Sequence, residues 1–274
     1  MIKTRGKKKN YLIIFVILIL AALIGFILFR QPPRKVPPPP VAEKAKPEVK
    51  KEEYRIAVII DDVGYVSENL EGYLNFGDRL TFSVLPFLSK SRTYAELLHK
   101  KGFEIMIHIP MEPISYPETD PGPYAILTED TKPDISYKLQ LMIDDNPFAK
   151  GANNHMGSRT TQDSDVMRYT LNILKNEGFF WIDSYTTGES FGYRLSKELS
   201  VPAVKRDVFL DNEDSFSYIN AQFEQLKMIA KQQGSAVGIG HFSKKNTLEV
   251  LRYQLPGLKK ENYRLIYASE AIRN

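Results

Sequence analysis

From residue 54 onward, short runs of β-branched and aromatic residues alternate with longer segments of helical spacing. The apolar runs are Arg55 to Ile60 (RIAVII), Leu80 to Leu85 (LTFSVL), Phe103 to Ile109 (FEIMIHI), Gly178 to Ile182 (GFFWI), Val201 to Leu210 (VPAVKRDVFL), Ser235 to Ile239 (SAVGI) and Tyr263 to Ala268 (YRLIYA). Each has the length and composition of a buried strand, and a short eighth strand is expected near Gly151 to Asn154. Between the runs, Ser89 to Lys101, Ser164 to Glu177, Ser215 to Gln233 and Lys244 to Leu255 repeat apolar residues at helical spacing, for example Tyr94, Leu97 and Leu98 on one face. This rhythm predicts a mainly parallel sheet with helices outside it. Seven to eight strands point to an α/β fold of the deformed (β/α) barrel type. The longest interval without a strand, Met111 to Lys150, starts with prolines and ends in a helix expected from Ile135 to Asp144. It fits either a wall beside a strand-end site or a surface excursion.

Upstream the pattern changes. Residues 11–29, YLIIFVILILAALIGFILF, carry no charge and are about long enough to cross a bilayer as a helix. The preceding tail, residues 1–10, holds Lys3, Arg5, Lys7, Lys8 and Lys9, which predicts a cytoplasmic N-terminus and a single pass through the inner or plasma membrane. A cleaved signal peptide is the rival reading, but the run is long and lacks a small-x-small site directly after it. Residues 30–53 are rich in proline and lysine and read as an extended spacer. The remaining segment, 54–274, is then one extracytoplasmic domain.

Of the 274 residues, 37 are basic and 33 acidic, so the charge of +4 is modest, and much of the excess sits in the N-terminal tail. No basic stripe marks the folded part, which argues against nucleic acid. With no cysteine in the chain, disulfides and thiolate metal sites are excluded, leaving imidazole, carboxylate and other nitrogen or oxygen ligands.

A parallel sheet gathers its strand ends at one face, so the polar residues ending the apolar runs bear on function. Asp61 and Asp62 follow IAVII and precede Val63-Gly64, where a turning backbone can bring two adjacent carboxylates into one cavity. One could hold a cation while the other accepts a proton from water; the pair also fits a helix cap at Asp62 and a turn residue at Asp61. His108 sits where a strand meets Pro110 and Pro113, with Glu112 four residues on as a second ligand or orienting group. Alone, His108 also fits a satisfied structural histidine. His155 lies in the polar, glycine-flanked GANNHMGSRTT with Asn153 and Asn154, which suits a site or a hydrogen-bonded turn equally. His241 ends SAVGIGH and could donate a proton. His99, by contrast, belongs to the last turn of a helix, where it suits the helix dipole. Asp183, Ser184, Arg206, Asp207 and Asp211 stand at or near strand ends as substrate contacts, caps or salt bridges. Asp207 interrupts an apolar pattern and needs a partner.

In order, IAVIIDDVGY, KGFEIMIHIPMEP, NNHMGSRTT, FFWIDSYTT, KRDVFLDN and VGIGHF resemble the divergent polysaccharide deacetylases, which are similar to the wider NodB-like carbohydrate esterases. The resemblance spans about Tyr54 to Ala268. It implies a deformed (β/α) barrel binding a divalent metal, often zinc, through an aspartate and two histidines. It places a catalytic base on Asp61, a metal ligand on Asp62, the first histidine of an H-x-x-x-H pattern on His108 and the proton donor on His241. The second histidine position holds Glu112 instead, so the third ligand is either Glu112 or His155, and His155 is preferred because imidazole is a common zinc ligand. The arginine-proline-tyrosine motif of the usual substrate wall is absent. The implied activity is removal of N-acetyl groups from an envelope polysaccharide such as peptidoglycan, with Asn154, Asp183, Arg206 and Asp207 as substrate or orienting residues. The competing expectations are a catalytically silent protein that binds glycan or a partner on the same fold, and another metal-dependent hydrolase using the same groups.

Overall fold

The computed structural model describes residues 7–30, 53–77 and 79–272, without the side chains of residues 7–10 and 12. The chain divides into two units, Met1–Lys50 and Lys51–Asn274. In the first unit, α1 (Lys7–Phe29) is a helix whose large apolar side chains from Ile13 to Phe29 are exposed. These side chains are described without a break only over that stretch, and among the described residues no helix is long and apolar enough to cross a membrane. The expected basic tail up to residue 6 and nearly all of the Pro/Lys-rich spacer lie outside the described residues.

Among its described residues the second unit has nine strands, all paired in parallel: β1 (Tyr54–Val63), β2 (Thr81–Val84), β3 (Glu104–Met111), β4 (Ala149–Met156), β5 (Phe180–Asp183), β6 (Ala203–Lys205), β7 (Val208–Phe209), β8 (Ser235–His241) and β9 (Tyr263–Ile266). Helices intervene: α2 (Leu70–Leu74), α3 (Ser91–Lys100), α4 (Lys132–Asp145), α5 (Ser164–Asn176), α6 (Gly192–Glu198), α7 (Phe216–Gln233), α8 (Lys245–Gln254) and α9 (Ala268–Ala271). The side chains of Thr131, Asp163 and Ser215 cap α4, α5 and α7, and Gly234, at φ 84°, ends α7 in the left-handed conformation.

The sheet order is β6-β5-β4-β3-β2-β1-β8-β7, with β9 beside β1. The mainly parallel α/β fold expected from the sequence is present, with nine strands among the described residues where about seven to eight were expected. The apolar run Val201 to Leu210 forms two short strands, not one, and the edge strands β6 and β7 do not pair, so the sheet is a curled, open barrel. The reason lies in Arg206 and Asp207. The Arg206 N–H donates to the Asp183 carbonyl on β5, whereas the Asp207 N–H donates to the Val237 carbonyl on β8. At these residues the chain changes ladders, and the Asp207 carboxylate secures the change by accepting from the Val237 N–H at 2.8 Å.

Alternation along the strands sorts the core. Ile56, Val58 and Ile60 face outward onto α7 and α8, while Ile107 and Ile109 face α4 and α5. The inner cluster holds Ala57 and Ile59 of β1, Met106 of β3, Phe180 and Ile182 of β5, Val237 and Ile239 of β8, and Ala268 and Ala271 of α9, which plugs the N-terminal ends of the strands. Two residues beyond Ile59, Met106, Ile182 and Ile239 stand Asp61, His108, Ser184 and His241. The same inner face of β4 carries Asn153 and His155 after Gly151. A polar layer thus crowns an apolar interior at the C-terminal ends of the strands, where parallel α/β folds place their chemistry.

Candidate metal centre

β1 ends in a bulge. It pairs with β2 through Ile60↔Phe82 and then Val63↔Val84, so Asp61 and Asp62 together face a single residue step of β2. Asp62 takes up the excess in the left-handed region, at φ 62°, which an aspartate tolerates better than most residues. The bulge breaks the alternation and lets two consecutive carboxylates reach the same cavity.

The Asp62 Oδ1 lies 3.2 Å from His108 Nε2 and 3.0 Å from His155 Nδ1. The two imidazole nitrogens are 3.2 Å apart, and one ligand atom from each of the three residues lies within 4.8 Å of the others. Asp62 Oδ1 is buried without a hydrogen-bond partner. An acceptor orphaned between two ring nitrogens fits a divalent cation, which would satisfy all three lone pairs. The donor set of two imidazoles and one carboxylate suits zinc. His108 is only 2% exposed, whereas the side chains of His155 and Asp62 are 16% and 25% exposed, so the cluster is open on one side. Burial opposes the Asp62 charge, but the neighbouring imidazoles of His108 and His155 hold its carboxyl well below the usual carboxylate range.

Asp61 sits beside this cluster, 3.6 Å from His108 Nε2 and 2% exposed. Burial pushes its carboxyl up, which suits a proton acceptor, while His108, His241 and the Asn153 amide pull against that shift. Both Asp61 oxygens accept from Asn153 Nδ2, at 3.0 and 3.1 Å.

Across the β1–β8 ladder, Asp61 is in register with His241. The Nδ1 of His241 lies 2.7 Å from Asp211 Oδ1, and Asp211 Oδ2 accepts from the His241 N–H and the Thr247 hydroxyl. With Nδ1 committed, Nε2 is left to exchange a proton. Burial disfavours the imidazolium, but Asp211, with Asp62 and Asp61 behind it, raises His241 to about 9. A raised histidine pKa stabilises the fold below the ordinary value of about 6.5, and that contribution is lost as pH rises through about 9.

The remaining candidates take other places. Glu112 does not join the cluster: Oε2 accepts from the Thr128 N–H and hydroxyl, Oε1 pairs with Arg159 at 2.8 Å, and its carbonyl accepts from the Arg159 and Thr160 N–H groups. It pins the loop after β3 against the loop after β4. Glu112→Gln is therefore expected to leave zinc affinity unchanged while lowering stability by about 1–3 kcal/mol, checked by zinc titration and thermal melting of one preparation. Asn154 braces the ends of β4 and β5, donating to the Met156 carbonyl and accepting from the Ser184 N–H. Asp183 accepts from the Tyr185 and Tyr193 N–H groups and the Ser190 hydroxyl, organising the entry to α6. Arg206 donates to the Ser184 and Tyr185 carbonyls and stacks on Phe209, which in turn stacks with His241. Asp207 is bound at the seam of the sheet. His99 stacks on Phe148, away from this layer.

The family description "divergent polysaccharide deacetylase" matches residues 58–272, nearly the whole second unit. The chain belongs to this family. As a divergent polysaccharide deacetylase it is 31% identical over 187 residues to the uncharacterized protein YibQ of Escherichia coli; the match covers 68% of this chain and 58% of that one. Among solved structures, an uncharacterized protein from Agrobacterium tumefaciens superposes with a TM-score of 0.77 at 20% identity, covering 82% of this chain and 91% of its own. A CE4 family pseudoenzyme from Bacillus anthracis (TM-score 0.51, 11% identity, 81% of this chain and 66% of that one) shares the fold. So does a peptidoglycan N-acetylglucosamine deacetylase (0.53, 14%, 80% and 88%).

Proposed function

We propose that this divergent polysaccharide deacetylase is a zinc-dependent hydrolase that removes N-acetyl groups from an envelope polysaccharide such as peptidoglycan. The observation that carries this reading is the convergence of His108 and His155 on the orphaned Asp62 Oδ1, with Asp61 on one side and His241 of β8, held by Asp211 from the loop after β7, on the other. Zinc held by these three residues would polarise the amide carbonyl and lower the pKa of its water. Asp61 takes the proton of the attacking water, since its oxygens lie beside the ligand cluster and burial raises its affinity for a proton. His241 donates from Nε2 to the departing amine, and Asp211 supports the imidazolium until it does so. The polysaccharide class is supported by the family and by the likeness of fold to a peptidoglycan deacetylase. The membrane anchor is part of the proposal and rests on the uncharged residues 11–29 and the basic tail before them. It would place the second unit outside the cytoplasm, with the spacer giving it reach.

The pH profile tests the acid. With the charge of a bound cation offsetting part of the Asp61 and Asp62 contribution, the alkaline limb of kcat/KM is expected below about 9. Asp211→Asn should move it further down, towards the ordinary histidine range. An unmoved limb would remove His241 from the acid role.

A second reading is a silent binding protein, because the same fold occurs in a pseudoenzyme. Full-length protein reloaded with zinc and incubated with N-acetylated glycan strands separates the two. New primary amines on the glycan are expected from the hydrolase, whereas glycan retention without amine release supports the binding protein.

A further inference from the structure

We propose that Asn153 is a positioning residue whose single neutral carboxamide both orients the base Asp61 and fixes the ring proton of His108. Asn153 is fully buried on the inner face of β4, and its side chain meets four different residues. Its Nδ2 donates to both Asp61 oxygens and, at 3.1 Å, to the Ser184 hydroxyl oxygen. Its Oδ1 accepts from the Ser83 hydroxyl at 2.5 Å and lies 2.7 Å from His108 Nδ1. Two amide hydrogens and two oxygen lone pairs are thereby all used.

The chemistry dictates which atom faces which neighbour. A carboxylate only accepts, so the NH₂ group must face Asp61, and this turns Oδ1 towards His108. An amide oxygen can be met by a ring nitrogen only as N–H, so His108 carries its proton on Nδ1. The bare Nε2 lone pair then points at Asp62 and His155, as ligation requires. A histidine ligand commonly leans on a carboxylate, a backbone carbonyl or water; here the supporting group is shared with the catalytic base, so a shift of Asn153 disturbs both. Charged alternatives fail at this position. A lysine or arginine would set a cation beside the cluster, and an aspartate would repel Asp61.

The zinc and turnover arms of the test rest on the function proposed above, whereas the tautomer arm does not. Full-length protein in detergent, labelled with ¹⁵N only in its four histidines, gives a spectrum simple enough to assign, with His108→Gln identifying the His108 signals. Metal-free and at a pH high enough to neutralise the ring, wild-type His108 should be protonated at Nδ1. Asn153→Ala should abolish that preference and weaken zinc binding by ~10–100-fold. Asn153→Asp keeps an oxygen for His108 but removes the donor to Asp61, so tautomer and zinc binding should persist while turnover falls. A brace with no positioning role would change all three together with thermal stability. The proposal is overturned by an Nε2–H tautomer in the wild type, or by Asn153→Ala with unchanged tautomer and zinc affinity. If Asn153 variants do not fold, the wild-type tautomer decides alone. If tautomer and affinity behave as expected but no glycan is deacetylated, the catalytic reading fails and the positioning role stands.

Discussion

His108→Ala is expected to abolish stoichiometric zinc binding and, with it, all measurable deacetylation. His108 is the most deeply buried of the three clustered residues. Its Nε2 lies 3.2 Å from both Asp62 Oδ1 and His155 Nδ1, and its Nδ1 is held by Asn153. Removing the ring leaves one imidazole and one carboxylate, too few to hold zinc in a catalytic site, where three protein ligands are usual. The loss should exceed the ~10–100-fold that an outer supporting residue costs. It should also leave the Asn153 oxygen short of a partner in a fully buried position, so metal-free stability should fall as well, by about 1–3 kcal/mol. Isothermal titration with zinc and a thermal melt of the same preparation check both. Near-normal zinc affinity in a folded His108→Ala protein would mean that the ligand set is wrong.

Asp61→Asn should separate binding from chemistry. The residue stands beside the three-ligand cluster without belonging to it, so zinc affinity should change little. Turnover should drop by about 10²–10⁴-fold, the usual contribution of a positioned general base. Burial already opposes the Asp61 charge and raises its carboxyl pKa, so at neutral pH a charged Asp61 works against folding. The neutral amide removes that opposition but sets its own NH₂ group against the Asn153 NH₂, so the melting temperature of the metal-free variant should change little. Lost turnover with intact zinc affinity and an intact melt is the signature of a base; a matching fall in all three would make Asp61 structural. Glycan retention by this variant would further show that binding and cleavage are separable on this fold.

Much of the scaffold was legible because strands buried on both faces read as near-continuous apolar runs rich in β-branched residues. IAVII, FEIMIHI and SAVGIGH each announce a strand, and each carries an acid or imidazole two residues past its last inner-facing apolar side chain. The sequence could not show that KRDVF divides between two sheet edges, since that depends on which carbonyl each of two consecutive N–H groups meets. Nor could spacing distinguish Glu112 from His155, and the preference for His155 rests there only on imidazole being a common zinc ligand. Spacing made Glu112 the neighbour of His108, but a carboxylate four residues along an extended, proline-flanked chain has moved on to Thr128 and Arg159, whereas the next strand carries His155 alongside. Asn153 and Asp211 were visible as polar residues near strand ends, yet nothing in one sequence reveals that an amide joins Asp61 to His108 or that Asp211 holds His241. A buried Asn-Asn pair inside a strand was the available hint, because such side chains need partners.

The most direct test is to titrate zinc into chelator-treated, full-length protein while following acetate release from N-acetylated glycan strands. The account predicts no release without metal and activity that rises to a plateau at about one equivalent, in keeping with a single three-ligand site. Acetate release that ignores the metal, or a protein that binds one equivalent of zinc tightly and releases no acetate from any N-acetylated glycan, would contradict it.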